Sequence, residues 1–576
     1  MSGRIRFEST GGRIAFEEVE SEEEYSVVKI KVSAENGVLS TVKIDWSIPC
    51  IGVLSQWNPM LDTNRCLMPD WSPVECRSRS VFGAPIQVHI GGRNENKCTV
   101  ALADGKIPCK IRSGVYEETA EIRYKLELFF DENLKITEYE TELLADRREI
   151  PFYDAIDGVR LWWENHGYRN TASPDFVKMP MYSTWYSMHQ RLRTDELTEE
   201  LRVASRYGMK AVIVDDGWQT GNNGRGYAYC GDWQPAESKI PDMRALVDAV
   251  HGMGMKYIMW YSVPFVGKNS AAYKKFDGKF LKICEDRWAI LDPRCKSVRD
   301  YLADIYESAV REWDIDGLKL DFIDSFELPD KDLRTQDMDI ISIEDALCAL
   351  LDEVRERIRA VKPDAVIEFR QNYMGPAMLR YADMMRAADS PCDALRNRIF
   401  TVNLRLTSGR CAVHSDMLMW NMQDTPEGAA MQLINVFFAV PQISVRMCEL
   451  GGAHAEMLAF YLGVWKKYRE CILDGKLRAY NPEANYSMVT SETEEEIVVA
   501  LYSRNYVALN KEYEKIVIIN GSSDGSIIFS APGGDYTANV YNCTGQKCIS
   551  DMEVKTSFDI IDVPRMGMVE LICRGI

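Results

Sequence analysis

Residues 210–220 read KAVIVDDGWQT: an apolar, largely β-branched run, two adjacent aspartates, then glycine and tryptophan. A run so short, stopped by a glycine, predicts a buried strand that ends in a turn. Seven more runs of the same kind accompany it: MPMYSTW (179–185), KYIMWYS (256–262), DGLKLDF (316–322), DAVIEFR (364–370), DMMRAAD (383–389), RCAVHSD (410–416) and PQISVRM (441–447). Between them lie DELTEELRVASRYG (195–208), DMRALVDAVHGMG (242–254), KSVRDYLADIYESAVREW (296–313) and IEDALCALLDEVRERIRAV (343–361), with apolar residues at helical spacing. Eight alternating units over residues 175–478 predict an α/β fold, a (β/α)₈ barrel, with a long loop after KYIMWYS on the face that carries chemistry.

The flanks read differently. Residues 1–160 hold short alternating stretches such as YSVVKIKVSA and EIRYKLELFF, and residues 479–576 hold EEIVVALYS, KIVIINGSS and GMVELICRG, all cut by Gly, Asn and Asp turns. These predict an N-terminal β-sandwich domain and a small C-terminal one. In the first block Trp57 and Trp71 sit among turn formers, where they either overhang a neighbouring site or are buried.

Composition narrows the partners. With 68 basic and 87 acidic side chains the chain carries a net charge of −19, which repels nucleic acid and anionic membranes and suits a neutral or cationic substrate better than an acidic one. The opening MSGRIRFESTGG has no signal-like apolar stretch, and no run approaches the ~20 apolar residues of a membrane span, so the expectation is a cytoplasmic protein. The 16 cysteines lack metal-type pairing and read mostly as buried reduced thiols, while six unpaired histidines offer no metal site. No metal and no cofactor is expected, and homo-oligomer formation is left open.

In such a barrel the reactive side chains lie at the C-terminal ends of strands. Asp215 and Asp216 end the second strand, Asp321 the fourth and Asp389 the sixth, and Asp416 follows the seventh. Any one of these could be a helix cap or turn residue. Four separate strands ending in the same residue type point instead to a shared site, and several carboxylates without metal ligands are what glycoside hydrolysis requires. Trp185, Tyr186, Trp218, Trp233 and Trp260 stand at or just beyond strand ends and could supply apolar faces for a sugar, with core packing the alternative for each ring singly.

These segments resemble the melibiase-type α-galactosidases, glycoside hydrolase family thirty-six of clan D, and their raffinose-synthase relatives. VIVDDGWQT, GDWQPAESKIP with LVDAVHGMGMKYIMW, LDPRCKSVRDYL and GLKLDFIDS are similar to four family motifs in the same order. The resemblance implies a retaining, exo-acting enzyme in which Asp321 attacks the anomeric carbon and Lys319 contacts sugar hydroxyls. RAADSPCDALRNR resembles the acid/base segment, which implies Asp389 as proton donor, Arg386 near the sugar and Asp393 in support. Asp215 and Asp216 are expected to bind hydroxyls at the far edge of the ring, with Trp260 and Trp185 flanking it and Tyr186 nearby. The sequence departs from the family at Ile323 and Ser262, where the pattern has Asn and Glu, and FRQNYMGPA replaces a glycine-rich stretch. The implied substrate is an oligosaccharide with terminal α-galactosyl-type residues.

Burial and the neighbouring Asp321 are expected to raise the Asp389 pKa against the pull of Arg386. Three rivals stand beside the hydrolase. One is an α-galactosyl transglycosidase or a glycosidase for another sugar. The second is a metal-dependent barrel lyase or hydrolase, in which Asp321, Asp389 and Asp416 hold Mg²⁺ and Lys319 acts as base. The third is a sugar-binding protein without catalysis.

Overall fold

A computed structural model of the chain describes residues 13–22, 24–34, 41–129, 136–170, 172–328, 335–533, 535–554 and 558–574. The N-terminal MSGRIRFESTGG segment falls outside them.

The first block is a sandwich of antiparallel sheets. One sheet has six strands in the order Arg13–Ser21, Tyr25–Ser33, Glu138–Asp146, Asn96–Leu102, Ile86–Gly91 and Val53–Trp57, and the other has four, Val42–Pro49, Glu121–Leu128, Cys109–Tyr116 and Val74–Ser78. Ile30, Val100, Ile44 and Leu126 meet between them in a core of their own, which the alternating sequence demands. The helix Phe152–Asn165 then leads to the barrel.

All eight runs form parallel barrel strands: Met181–Ser183, Ala211–Val214, Lys256–Ser262, Gly317–Asp321, Val366–Arg370, Met384–Arg386, Ala412–His414 and Gln442–Ile443. They are numbered first to eighth below. The first and eighth pair directly, and the bridge between His414 and Val440 closes the ring. Closure fixes the two directions in which side chains can point. Tyr182, Val212, Val214, Tyr257, Met259, Leu318, Leu320, Ile367, Phe369 and Val413 pack outward in the large core shared with the helices. The intervening Met181, Ala211, Ile213, Ile258, Val366, Met384 and Ala412 form a separate plug at the axis. Continuing that inward parity up the strands gives Asp215, Lys319, Asp321, Glu368, Arg370 and Arg386, so the barrel interior changes from apolar at its base to ionic at its mouth.

The segment after the third strand is more ordered than the expected loop. It folds into a three-stranded sheet, Phe265–Gly267, Phe280–Cys284 and Trp288–Leu291, whose alternating pattern is short and easily read as irregular. From Lys476 onward a seven-stranded sheet faces a three-stranded one around Ile516, Phe529 and Val569. All 16 cysteines are free, and eight are buried, fewer than expected. Among the described residues no helix is long and apolar enough to cross a membrane.

The three blocks meet at Trp57. Its ring is fully buried and its indole N–H donates to Asn403 Oδ1 of the barrel helix Ala394–Thr407 (3.1 Å) and to the Tyr486 hydroxyl of the C-terminal block (2.7 Å). Arg65 adds a bond to Asn403 Oδ1 (3.2 Å) and lays its guanidinium 4.6 Å from the Tyr486 ring. Trp71, by contrast, is 74% exposed, with its indole on Glu117. Trp57→Phe removes the shared indole N–H and leaves a gap beside Asn403 and Tyr486, which keep each other and Arg65 as partners; it should cost about 1–3 kcal/mol in urea unfolding, whereas Trp71→Phe should stay within ~0.5 kcal/mol. Equal urea midpoints for the Trp57 variant and the parent would show that this knot does not hold the blocks together.

Candidate active site

The turn after the second strand depends on Gly217, whose φ of +116° lies outside the range of L side chains and where a Cβ would sit 2.5 Å from Gln190 Cα. It lets Asp215 and Asp216 diverge. Asp215 turns to the axis and pairs with Lys319, both nearly inaccessible to solvent. Asp216 turns away, and its two oxygens accept from Gln190 Nε2 (2.6 Å) and Gln219 Nε2 (2.7 Å). Burial pushes the Asp216 pKa up to about 6 against those two bonds. Asp215 thus faces the barrel axis, while both Asp216 oxygens are engaged by side-chain amides in the turn beyond the strand.

Asp321 stands at the end of the fourth strand with both oxygens held. Oδ2 accepts from the Trp260 indole (2.9 Å), and Oδ1 accepts from Arg370 Nε (2.5 Å), Phe322 N (2.8 Å) and the Tyr373 hydroxyl (3.3 Å). Phe322 adopts a left-handed backbone (φ 62°), which turns its N–H back onto the carboxylate, and its ring stacks on Phe265 at 4.8 Å. Burial alone would raise the Asp321 pKa, but the charges of Arg370 and Lys319 and the Trp260 bond outweigh it and hold the group well below the usual carboxylate range.

At the sixth strand Arg386, 1% exposed, links two acids: its guanidinium bonds Asp416 and, at 2.9 Å, Asp389 Oδ1. The two respond oppositely. Asp416 is sealed off, accepting also from Ser390 N (2.5 Å) and the Tyr186 hydroxyl (2.9 Å), and burial lifts its pKa to about 6. The Asp389 side chain is 61% exposed at the mouth. There burial still works upward, but Arg386, then Lys319 and Arg370, carry the net shift below the ordinary value. The expected upward shift of Asp389 is therefore corrected, because the charges of Arg386, Lys319 and Arg370 outweigh burial and the repulsion of Asp321.

The aromatics sort by depth. Trp185 and Tyr186 are half-buried at the mouth, with Trp185 edge-on to His189 (4.6 Å) and Tyr186 bound to Asp416. Trp260 does not flank an open ring site: it is 1% exposed, wedged against Trp233, and acts on Asp321 through its N–H. Trp218 and Trp233 are core residues, 0% and 2% exposed. Asp393 caps the helix Ala394–Thr407, accepting from Arg396 N at 3.0 Å, and plays no visible part at the mouth.

Arg370 and Glu368 were not picked out from the sequence, although a signal existed. In VIEFR two charged residues alternate with apolar ones in phase with Val366, the pattern of Lys319 and Asp321 in GLKLD. Glu368, fully buried, accepts from Gln442 Nε2 (2.7 Å), and burial raises its pKa. The arrangement for a metal is weaker. Asp416 is enclosed by Arg386, Ser390 and Tyr186, and Lys319 is paired with Asp215. Among the described residues the one grouping close enough to share an ion is Asp248, His251 and Asp314, at the opposite end of the barrel.

Residues 169–395 match the Melibiase family profile. The chain is 23% identical over 242 residues to alpha-galactosidase 2 of Pediococcus pentosaceus, covering 39% of this chain and 33% of that protein. It is 25% identical over 156 residues to alpha-galactosidase Mel36A of Lactobacillus acidophilus, covering 26% and 20%. The matched stretches thus span a third or less of these relatives. By fold, a GH36 alpha-galactosidase of Geobacillus stearothermophilus solved with raffinose superposes with a TM-score of 0.66 at 13% identity over 97% of this chain and 81% of that one. The alpha-galactosidase of Lactobacillus brevis gives 0.65 at 11% identity over 99% and 85%. The matched segment runs through the first six barrel strands and takes in every acid of the mouth except Asp416, and it is in this segment that the chain is similar to the melibiase family.

Proposed function

We propose that the protein is a retaining, exo-acting α-glycosidase, an α-galactosidase in the first instance, that hydrolyses terminal α-galactosyl-type residues of oligosaccharides. One observation carries this: Asp321, fixed by donors on both oxygens and paired with Arg370, shares the barrel mouth with an accessible Asp389. The names of the relatives support the sugar, and neighbours were solved with raffinose and stachyose. In the first step Asp321 bonds to the anomeric carbon while Asp389 gives its proton to the departing oxygen; in the second, Asp389 takes a proton from water as water displaces Asp321. Lys319 with Asp215 grips hydroxyls at the axis. Trp185 and Tyr186 border the opening. The same two steps with a sugar hydroxyl in place of water make a transglycosidase. With four exposed free thiols among its cysteines, the reading includes a reducing compartment, the cytoplasm.

A screen of nitrophenyl α- and β-glycosides tests the proposal: turnover should be confined to α-linked sugars, led by the galactoside. Asp321→Asn should lower kcat by several orders of magnitude with an unchanged thermal midpoint, and near-normal activity would end the assignment. In Asp389→Ala, nitrophenyl substrates should lose far less than natural disaccharides, and azide should restore turnover with retained α configuration. Equal losses on both, with no azide effect, would assign the proton to another group.

The pH profile follows from the two downward shifts. Activity needs Asp321 charged and Asp389 protonated, and both titrate below their ordinary values in the free site, Asp321 the lower. The bell in kcat/KM should therefore lie on the acidic side, its alkaline limb set chiefly by Asp389. Arg386→Gln removes the largest downward influence on Asp389, so that limb should move to higher pH; a limb that stays in place would detach it from Asp389.

A further inference from the structure

Arg370 ends the fifth strand two positions beyond Glu368, so strand parity aims it at the axis. The guanidinium is fixed on several sides. Its Nε bonds Asp321 Oδ1 (2.5 Å), its Nη1 bonds the Gln371 carbonyl (3.0 Å), its Nη2 stands 4.0 Å from Asp324, and the Phe322 and Tyr373 rings lie 5.2 and 5.6 Å away.

The two oxygens of Asp321 are thereby made unequal. Oδ1 accepts three bonds, more than its two lone pairs serve well, whereas among the described residues the bonds given to Oδ2 come to one, from Trp260. Oδ2 keeps a lone pair for attack. Oδ1 becomes the carbonyl oxygen of the ester.

Building on the double-displacement reading above, we infer that Arg370 makes Asp321 a better leaving group at the expense of its nucleophilicity, so that the glycosyl-enzyme is consumed faster than it forms. In glycosylation the Oδ2 lone pair makes the C1–Oδ2 bond, the C1–aglycone bond breaks onto its oxygen, and that oxygen takes the Asp389 proton. Asp321 loses its negative charge in this step, and the charge-assisted bond from Arg370 to Oδ1 weakens. In deglycosylation the water oxygen bonds to C1, Asp389 takes the water proton, and the C1–Oδ2 pair returns to Asp321, restoring the full ion pair. Arg370 stabilises the carboxylate at both ends of the cycle relative to the ester between them, which slows the first step and speeds the second.

The test uses the full-length enzyme with an aryl α-glycoside that it turns over. Stopped-flow release of the phenol is read together with intact-protein mass. The parent should release phenol linearly, without a burst, and carry little glycosyl-enzyme. Arg370→Met, which keeps an unbranched stem and removes the charge, should show a burst approaching one equivalent, a glycosyl adduct on the peptide containing Asp321, and deglycosylation slowed on the order of ten-fold. Lys319, Asp324, Tyr373, Tyr227, Arg386 and Asp389 also face Asp321, and they remain in this variant, so its acidic pH limb should move upward through loss of Arg370 alone. Arg370→Lys should fall between the two, and it carries the test if the Met variant does not fold. A burst in the parent, or an Arg370 variant that slows both steps equally with no gain in adduct, overturns the inference. Asp321 labelling by a fluorinated glycosyl inactivator separates the two levels: labelling without the Arg370 effect sinks only this inference, and failure of turnover and labelling together removes the double-displacement reading and this inference with it.

Discussion

A closed parallel barrel turns every second strand residue toward its axis, and a charge turned inward must find a partner there, because an unpaired buried ion costs several kcal/mol. Base to mouth, this chain meets the constraint first with Met181, Ile258, Val366 and Met384, and then with pairs: Lys319 on Asp215, Arg386 on Asp416 and Asp389, Arg370 on Asp321. The mouth is thus a connected ionic layer on an apolar plug. Its geometry is inherited from strand register more than from loops.

That layer sets the protonation states. Asp416 and Asp389 share one guanidinium yet shift in opposite directions, since full burial of Asp416 outweighs the attraction while the exposed Asp389 yields to it. Asp321 is buried as well, but two cations and four hydrogen bonds overcome the desolvation. Burial and partners compete at every acid, and the outcome differs with depth.

The flanking blocks brace the mouth from outside. The segment after Trp57 lies against the fifth and sixth strand ends: the Pro59 carbonyl accepts from Gln371 and Asn403 (both 3.3 Å), and Asp62 pairs with Arg396 (2.7 Å). Gln371 also accepts from Ala388 N (3.2 Å), next to Asp389. The N-terminal sandwich therefore reaches the acid through a short chain of bonds anchored at Trp57.

What the sequence determined by itself was the periodic part. The eight apolar runs, the helices between them and the β blocks on either side are local patterns, and a strand-end rule then placed Asp215, Asp321 and Asp389 at one rim. Even Arg370 was legible in principle, from its phase with Val366 and Glu368. The tertiary structure decided which partner most of these charges take, because those pairs join residues far apart in the chain: Asp215 with Lys319 across 104 positions, Asp321 with Arg370 across 49. It also decided that Trp260 is sealed while Trp185 is half-open, and that Asp389 titrates low. Exposure and net field are sums over neighbours that only barrel closure brings together, and no local pattern of apolar and polar residues records them.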